Sequence, residues 1–276
     1  MAPARRPTLE RLATNLGEQP PRDRPVGLWD TPLVWVAPRR LFERVEDVPT
    51  YAWALVVLLL TVTGLGYASV QTGLIDREID RGVAERIALI DQTQRDVVER
   101  SALRDLYEQQ RKQGEFEKTL ARINAVVTRP LAMLAGTLVV AAVLYGVVAL
   151  QGRKAEWHTL MNICVFAGYT ELLRQAATLA LMMRFRTLEI DTSLAPLAAA
   201  AVERWVLSAQ AAAALAGALT AFDPFRIWYW TVVSIGLRAT SQMTGWRVMA
   251  VCTTCWLVGA AARSGLAYAM NGAEPA

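Results

Sequence analysis

The sequence has little charge and a single histidine. Only 20% of its 276 residues are charged and 54% are hydrophobic, whereas soluble globular domains carry about 25% charged residues. The charges are concentrated in two stretches, 1–48 and 76–129, and long apolar blocks fill much of the rest. A soluble domain would mix its charges with apolar residues on amphipathic faces. The segregation is typical of a chain embedded in lipid.

Motifs for catalysis and metal binding are also missing. The sequence contains no glycine-rich phosphate loop, no Ser/His/Asp set and no H-E-x-x-H. Cys252 and Cys255 have C-x-x-C spacing, but they lie in an apolar stretch, and Cys164 is the only other thiol. We interpret them as small packing residues in lipid. We therefore expect no enzymatic activity, no cofactor and no metal.

The net charge of +4 does not indicate a nucleic-acid partner. Residues 1–48 hold eight arginines against seven acids, and residues 76–129 hold eleven bases against eleven acids. A nucleic-acid surface needs a cluster of unpaired basic side chains, and neither stretch supplies one. Residues 1–32, which are rich in proline, predict a disordered cytoplasmic tail.

Apolar runs predict an all-α, polytopic helical bundle with about five membrane-spanning helices. The first span lies within 49–73, where twenty residues from Tyr51 carry no charge and cover the hydrocarbon core of ~30 Å. Pro130 suits the start of a second helix. An Ala-rich stretch, 193–221, predicts an interfacial or partly inserted helix rather than a sixth span. The other predicted spans lie near 131–150, 159–183, 225–243 and 248–268, within a membrane domain over 130–268, and 269–276 forms a C-terminal tail.

A charged insertion, 74–129, separates the first two spans. Apolar side chains recur at helical spacing on both sides of Gly114, which we interpret as a helix break. The pattern predicts a helical hairpin that buries both stripes, and a coiled coil with a partner chain is the alternative. Upstream, 33–48 predicts an interfacial elbow helix. The stripes are Ile75, Ile79, Val83, Ile87 and Ile90 in the first helix and Phe116, Leu120, Ile123 and Val127 in the second.

The third predicted span contains two charges, Glu171 and Arg174. Each charge at mid-membrane costs roughly 2.5–3.5 kcal/mol on insertion scales. Their three-residue separation places them on one helix face, where they can neutralise each other. Two interpretations remain open: an ion pair that fixes packing, and a polar cavity or ion path. Two other arginines, Arg238 and Arg263, are predicted to extend from helix ends toward headgroups.

Three stretches together resemble a known family. The segment Phe222–Gly259 contains Asp223-Pro224-Phe225 followed by Trp228 and Gly236, Gly152–Tyr169 leads from a Gly-basic entry to Tyr169, and Ala37–Pro49 contains a Pro-Arg lead-in. In this order they resemble the Yip domain of integral membrane proteins, named for interaction with Ypt/Rab GTPases, and especially its bacterial branch. The resemblance implies a five-helix domain in a bacterial inner membrane with a cytoplasmic N-terminus.

Two hypotheses of function follow. The first is a non-enzymatic scaffold or regulator of other membrane proteins or of membrane organisation. Its partners would be the lipid bilayer and other membrane proteins, or a second copy, contacted through the spans or the insertion 74–129. The alternative is a small transporter or channel component that uses Glu171 and Arg174.

Overall fold

The computed structural model describes residues 26–45, 50–94, 99–186, 190–198, 208–240 and 242–272. Within these ranges the chain is helical and contains no strand. Single helical turns at Leu28–Asp30 and Leu33–Val36 precede the longer elements. The helices are α1 (Pro38–Val45), α2 (Tyr51–Gln71), α3 (Leu74–Gln94), α4 (Arg100–Ile123), α5 (Arg129–Leu150), α6 (Trp157–Phe185), α7 (Ala209–Leu219), α8 (Pro224–Ala239) and α9 (Trp246–Gly272).

Among the described helices, three are long and apolar enough to cross a membrane. They are α2, the continuous helix Arg100–Leu150, whose apolar part is α5, and α9 as far as Met270. The other two predicted spans do not reach this standard. Helix α6 is 29 residues long but carries both charges in its middle, and α8 has only 16 residues. The all-helical membrane bundle is confirmed, and the number of spans stays a prediction.

Helices α3 and α4 pack side by side in opposite directions and are held by polar contacts. Arg86 donates two hydrogen bonds to Glu117, at 2.9 and 3.1 Å. Arg122 donates to a carboxylate oxygen of Asp76 at 2.7 Å. Two further contacts between the helices are Lys118 with Asp80 at 2.7 Å and Tyr107 with Asp91 at 2.8 Å. We call this unit the α3–α4 hairpin.

The helix break predicted at Gly114 is wrong, because α4 continues through it. Gly114 is buried at the point where the two helices come closest. A Cβ atom there would lie 2.6 Å from Cγ2 of Val83. A π-helical turn, Asn124–Thr128, then joins α4 to α5 without a break. The glycine therefore permits close packing and does not end the helix.

The prediction that both apolar stripes are buried is wrong for α4. Of the stripe on α3, only Val83 is buried, at 8% exposed, and Ile75, Ile79, Ile87 and Ile90 are partly exposed. The α4 stripe faces outward, because α4 packs on α3 through its opposite face, where Gly114 is buried against Val83. Its four members are Phe116 (64% exposed), Leu120 (49%), Ile123 (49%) and Val127 (48%).

Helix α6 forms the centre of the bundle and packs against α2, α5 and α8. Every residue from Thr159 to Thr170 is buried. The amphipathic helix α1 packs on α8, burying Leu41 and Phe42, while Arg39 and Arg40 remain exposed. The elbow helix therefore covers one side of the bundle, and its place at the membrane interface stays a prediction.

The predicted partly inserted segment 193–221 lies partly outside the described residues. Its described helix, α7, has 11 residues, is apolar and packs along α9. The hydroxyl of Ser264 donates to the carbonyl oxygen of Ala214 at 2.9 Å. The predicted C-terminal tail begins too early, since α9 continues to Gly272. The predicted N-terminal tail, 1–32, lies mostly outside the described residues.

Candidate functional site

Glu171 and Arg174 form an ion pair on one face of α6. The Nε atom of Arg174 lies 2.9 Å from each carboxylate oxygen of Glu171, and Nη2 also contacts Oε1. Each side chain is 29% exposed. Because both carboxylate oxygens accept charge-assisted hydrogen bonds, the pair neutralises two charges that would otherwise be costly inside the bundle.

This ion pair lines a cavity of about 670 Å³ enclosed by α2, α5, α6, α8 and α9. Ser69 and Arg129 contribute from the C-terminal end of α2 and the N-terminal end of α5. The cavity therefore lies toward the end of the bundle from which the α3–α4 hairpin extends. The two interpretations of the charged pair, an ion pair that fixes packing and a polar cavity, are therefore not exclusive, because the ion pair lines the cavity.

Arginine dominates the charge of this cavity. Arg129, Arg174, Arg226 and Arg263 line it, and among the described residues Glu171 is the one carboxylate in its wall. Within the described residues, neither Arg226 nor Arg263 forms an ion pair. Arg226 lies close enough to Arg174 and Arg263 for mutual repulsion. The cavity therefore concentrates positive charge.

Two acidic side chains near the cavity reduce this charge without forming ion pairs in it. Asp191 and Asp223 attract both Arg174 and Arg226 through space. Each carboxylate already accepts hydrogen bonds elsewhere: Asp191 from the backbone of Ser193 at 2.8 Å, and Asp223 from two donors described below. Neither acid lines the cavity wall.

Arg263 lies against the bundle rather than extending away from it, and its contact with headgroups stays a prediction. Its Nε atom is buried and has no hydrogen-bond partner among the described residues, and its side chain lines the cavity. Thr178 shares this property, because its hydroxyl is also buried and unpartnered there. Arg238, in contrast, is exposed in the last turn of α8.

The motif Asp223-Pro224-Phe225 starts helix α8. Asp223 is the N-cap, and its Oδ1 accepts a hydrogen bond from the backbone N–H of Phe225 at 2.8 Å. Its Oδ2 accepts a second bond from the hydroxyl of Thr192 at 2.6 Å. Pro224 occupies the first helical position, where its missing N–H costs nothing. The motif fixes where α8 enters the bundle, and Phe225 also lines the cavity.

Tyr169, Trp228 and Gly236 hold the bundle together and do not line the cavity. The Tyr169 hydroxyl donates to the carbonyl oxygen of Ala54 at 2.7 Å, which ties α6 to α2. Trp228 is partly buried against the core. Gly236 is a close crossing, because a Cβ atom there would lie 2.9 Å from the side chain of Ile163.

A buried polar contact that the sequence did not reveal joins α1, α2 and α6. The Asn162 side chain donates to the carbonyl oxygen of Val45 at 3.3 Å, and its Oδ1 lies 2.9 Å from the hydroxyl of Thr50. Asn162 is 1% exposed. Its signal in the sequence was a lone amide within an apolar helix, where a polar group needs a partner.

The comparison with known proteins agrees with this architecture. The sequence model of the Yip1 domain matches residues 33–264, a range that runs from the turn before α1 into the second half of α9. No curated protein and no solved structure matches the chain. The match contains the helix start at Asp223, the Tyr169 link between helices and the crossing at Gly236. The chain therefore belongs to the Yip1 domain family of integral membrane proteins.

Proposed function

We propose that this chain is a non-enzymatic scaffold or regulator of other membrane proteins in a bacterial inner membrane. In this proposal α6 and α8 also cross the bilayer and add two spans to the three apolar ones, which makes five, with the N-terminus in the cytoplasm. The central position of α6 among α2, α5 and α8 supports its insertion. The α3–α4 hairpin then lies on the non-cytoplasmic side.

The α4 stripe carries the proposal. Its four apolar side chains, Phe116, Leu120, Ile123 and Val127, extend over roughly 16 Å of helix at 1.5 Å per residue. Each is about half exposed or more. Contiguous exposed apolar surface of this kind marks a contact site. The hairpin packs through the opposite face of α4, where Gly114 is buried against Val83, so the stripe remains available to a partner.

The partner that best fits this stripe is a helix of another integral membrane protein. The stripe lies on the continuous helix Arg100–Leu150, and exposed apolar side chains continue below it at Leu131, Leu138 and Val139. A partner helix that covers the stripe can therefore follow the same helix into lipid. The insertion carries equal numbers of acids and bases, so apolar contact rather than net charge would select the partner.

Site-specific photo-crosslinking in native membranes tests this proposal. A crosslinker at Phe116 should capture a defined membrane protein other than the chain itself, and one at Arg104, which is exposed on another face of the same helix, should not. Leu120→Glu with Ile123→Glu should reduce copurification of that protein by about a hundredfold or more, since each buried apolar side chain contributes roughly 1.5–3 kcal/mol. Ser101→Glu with Thr119→Glu, which adds the same charge at exposed positions outside the stripe, is the matched control.

Two outcomes count against the scaffold function. Capture of a second copy of this chain would make the stripe a surface for self-association. Equal copurification in the stripe variant and the control would show that the stripe does not bind the partner.

The alternative, a transporter or channel component, is favoured by the cavity and its Glu171–Arg174 pair. A solute path through the bundle would require polar side chains on its wall, and these two supply them. Reconstituted vesicles should then show a flux that Glu171→Gln abolishes. Vesicles as impermeable as protein-free ones would exclude this alternative.

A further inference from the structure

We propose that the cavity among α2, α5, α6, α8 and α9 binds the phosphate group of an anionic phospholipid. This inference does not depend on the scaffold function, because the α4 stripe and the cavity share no residue. A lipid held here would occupy the space that the alternative function treats as a solute path. The charge of the cavity wall, its hydrogen-bond donors and its apolar lining identify the ligand.

The positive charge of the cavity wall favours binding of an anion. Glu171 is already engaged by Arg174, which leaves Arg129, Arg226 and Arg263 without a carboxylate in contact among the described residues. Arginine presents a planar set of donors that matches phosphate oxygens, and its weak hydration suits a partly buried site. A phosphate between these guanidinium groups would relieve their mutual repulsion. The ammonium group of a zwitterionic lipid would meet that repulsion instead.

Unpartnered donors in the wall show where the oxygens would be bound. The Nε–H of Arg263 and the hydroxyl of Thr178 are both buried and lack hydrogen-bond partners among the described residues. Buried polar groups in native structures are nearly always paired. Phosphate offers several acceptor oxygens, which matches a wall that carries these two donors and the guanidinium group of Arg226.

The rest of the lining fits a lipid rather than a free ion. Apolar side chains, including Leu65, Met133, Leu179 and Met182, form part of the same wall. A volume of about 670 Å³ exceeds what a phosphate ion needs and leaves room for part of an acyl chain. The location agrees, because Arg129 is the first residue of the apolar helix α5 and lies where a headgroup would.

Native mass spectrometry of the full-length protein in detergent gives the direct test. The protein is incubated with phosphatidylglycerol or with phosphatidylethanolamine of the same acyl chains, and bound lipid is counted. We expect phosphatidylglycerol to be retained preferentially. Arg226→Gln with Arg263→Gln should weaken that retention by roughly tenfold or more, as expected for the loss of charge-assisted hydrogen bonds.

Arg238→Gln is the matched control, because Arg238 lies on the same helix as Arg226 but is exposed and outside the cavity. It should retain the lipid like the unchanged protein. If the double variant does not fold, Thr178→Val keeps the side-chain shape and removes one donor, and it should weaken retention by about threefold. Equal retention of the two lipids, or unchanged retention in whichever of these variants folds, would overturn the proposal.

A separate arm distinguishes the lipid from a soluble anion. Inorganic phosphate is added at millimolar concentration to the protein loaded with phosphatidylglycerol. Retention of the lipid is the expected result, because the apolar wall contributes to its binding. Displacement by inorganic phosphate would assign the site to free anions and contradict the proposed lipid.

Discussion

Gly66→Ala tests the helix crossing that joins α2 to the base of the α3–α4 hairpin. A Cβ atom at Gly66 would lie 2.1 Å from the carbonyl oxygen of Ala125 and 2.9 Å from its carbonyl carbon. Even weak carbon–oxygen contacts begin near ~3.3 Å, so the two backbones would have to separate by about 1 Å. The obstacle is backbone in a π-helical turn and cannot rotate away like a side chain.

Gly64→Ala provides the matched control for this substitution. Gly64 lies two residues earlier on α2, and a Cβ atom there would have no neighbour within 4 Å. Both variants gain the same helix propensity, about 0.8–1 kcal/mol for alanine over glycine. The difference between them therefore isolates the crossing, and we expect Gly66→Ala to be less stable by roughly 1–3 kcal/mol from overpacking.

Thermal unfolding in detergent, followed by tryptophan fluorescence, measures this difference. At roughly 2–4 °C per kcal/mol for a chain of this size, Gly66→Ala should unfold several degrees below Gly64→Ala. Equal unfolding temperatures would show that α2 does not cross the π-helical turn as closely as described, and the reasoning would fail.

Three further substitutions give distinct outcomes. Asn162→Leu should lower the free energy of unfolding by about 1–3 kcal/mol, because it leaves two buried partners without hydrogen bonds, and chemical denaturation measures the loss. Glu171→Gln leaves the half-buried Arg174 unpaired and should lower the free energy of unfolding by about 2 kcal/mol, less than the roughly 3–5 kcal/mol for a fully buried pair. The double variant Glu171→Gln with Arg174→Gln should recover part of this loss in the same assay. Hydrogen bonds from Arg86 hold the pKa of Glu117 below its ordinary value. The stability from this pair is therefore complete above that ordinary pKa and is lost as the pH falls through the lowered one. Acid should reduce the protection of hairpin amides against hydrogen exchange, corrected for the intrinsic rate, more in the unchanged protein than in Glu117→Gln. An equal loss of protection would contradict the role of the pair.

The sequence predicted α2 and α5 closely because one property decides them. A run of about twenty residues without charge is long enough to cross lipid, and no tertiary contact is needed to recognise it. The start of α8 at Asp223-Pro224 could also be recognised in the sequence, since helix capping depends on local residues. These features depend only on neighbours in the chain.

The packing of the α3–α4 hairpin could not be predicted from such local features. Glycine in a helical pattern indicates either a break or a close contact, and only the position of Val83 opposite Gly114 decides between them. Likewise, the sequence pattern of the apolar stripe on α4 does not indicate whether the stripe faces its own hairpin or a partner. The buried contact between Gly114 and Val83 occupies the face of α4 turned toward α3, ion pairs such as Arg86–Glu117 flank it, and the stripe lies on the opposite face.

The arginine-rich lining of the cavity could not be predicted for a similar reason, although Glu171 and Arg174 indicated a polar cavity as one of two interpretations. Its arginines, Arg129, Arg174, Arg226 and Arg263, come from four different helices and are brought together by packing alone. In the sequence, Arg263 resembled a side chain near a helix end. A local signal did exist, because each of the last three interrupts an otherwise apolar helix, but it does not indicate that the three meet.

We propose a five-span bundle with a cytoplasmic N-terminus, in which the α3–α4 hairpin lies on the opposite side of the membrane. Reporters fused after Ala276 test it most directly, since an odd number of spans places the two ends of the chain on opposite sides. We predict that a C-terminal alkaline phosphatase is active and that a C-terminal green fluorescent protein is dark. A fluorescent fusion with an inactive phosphatase would contradict the account.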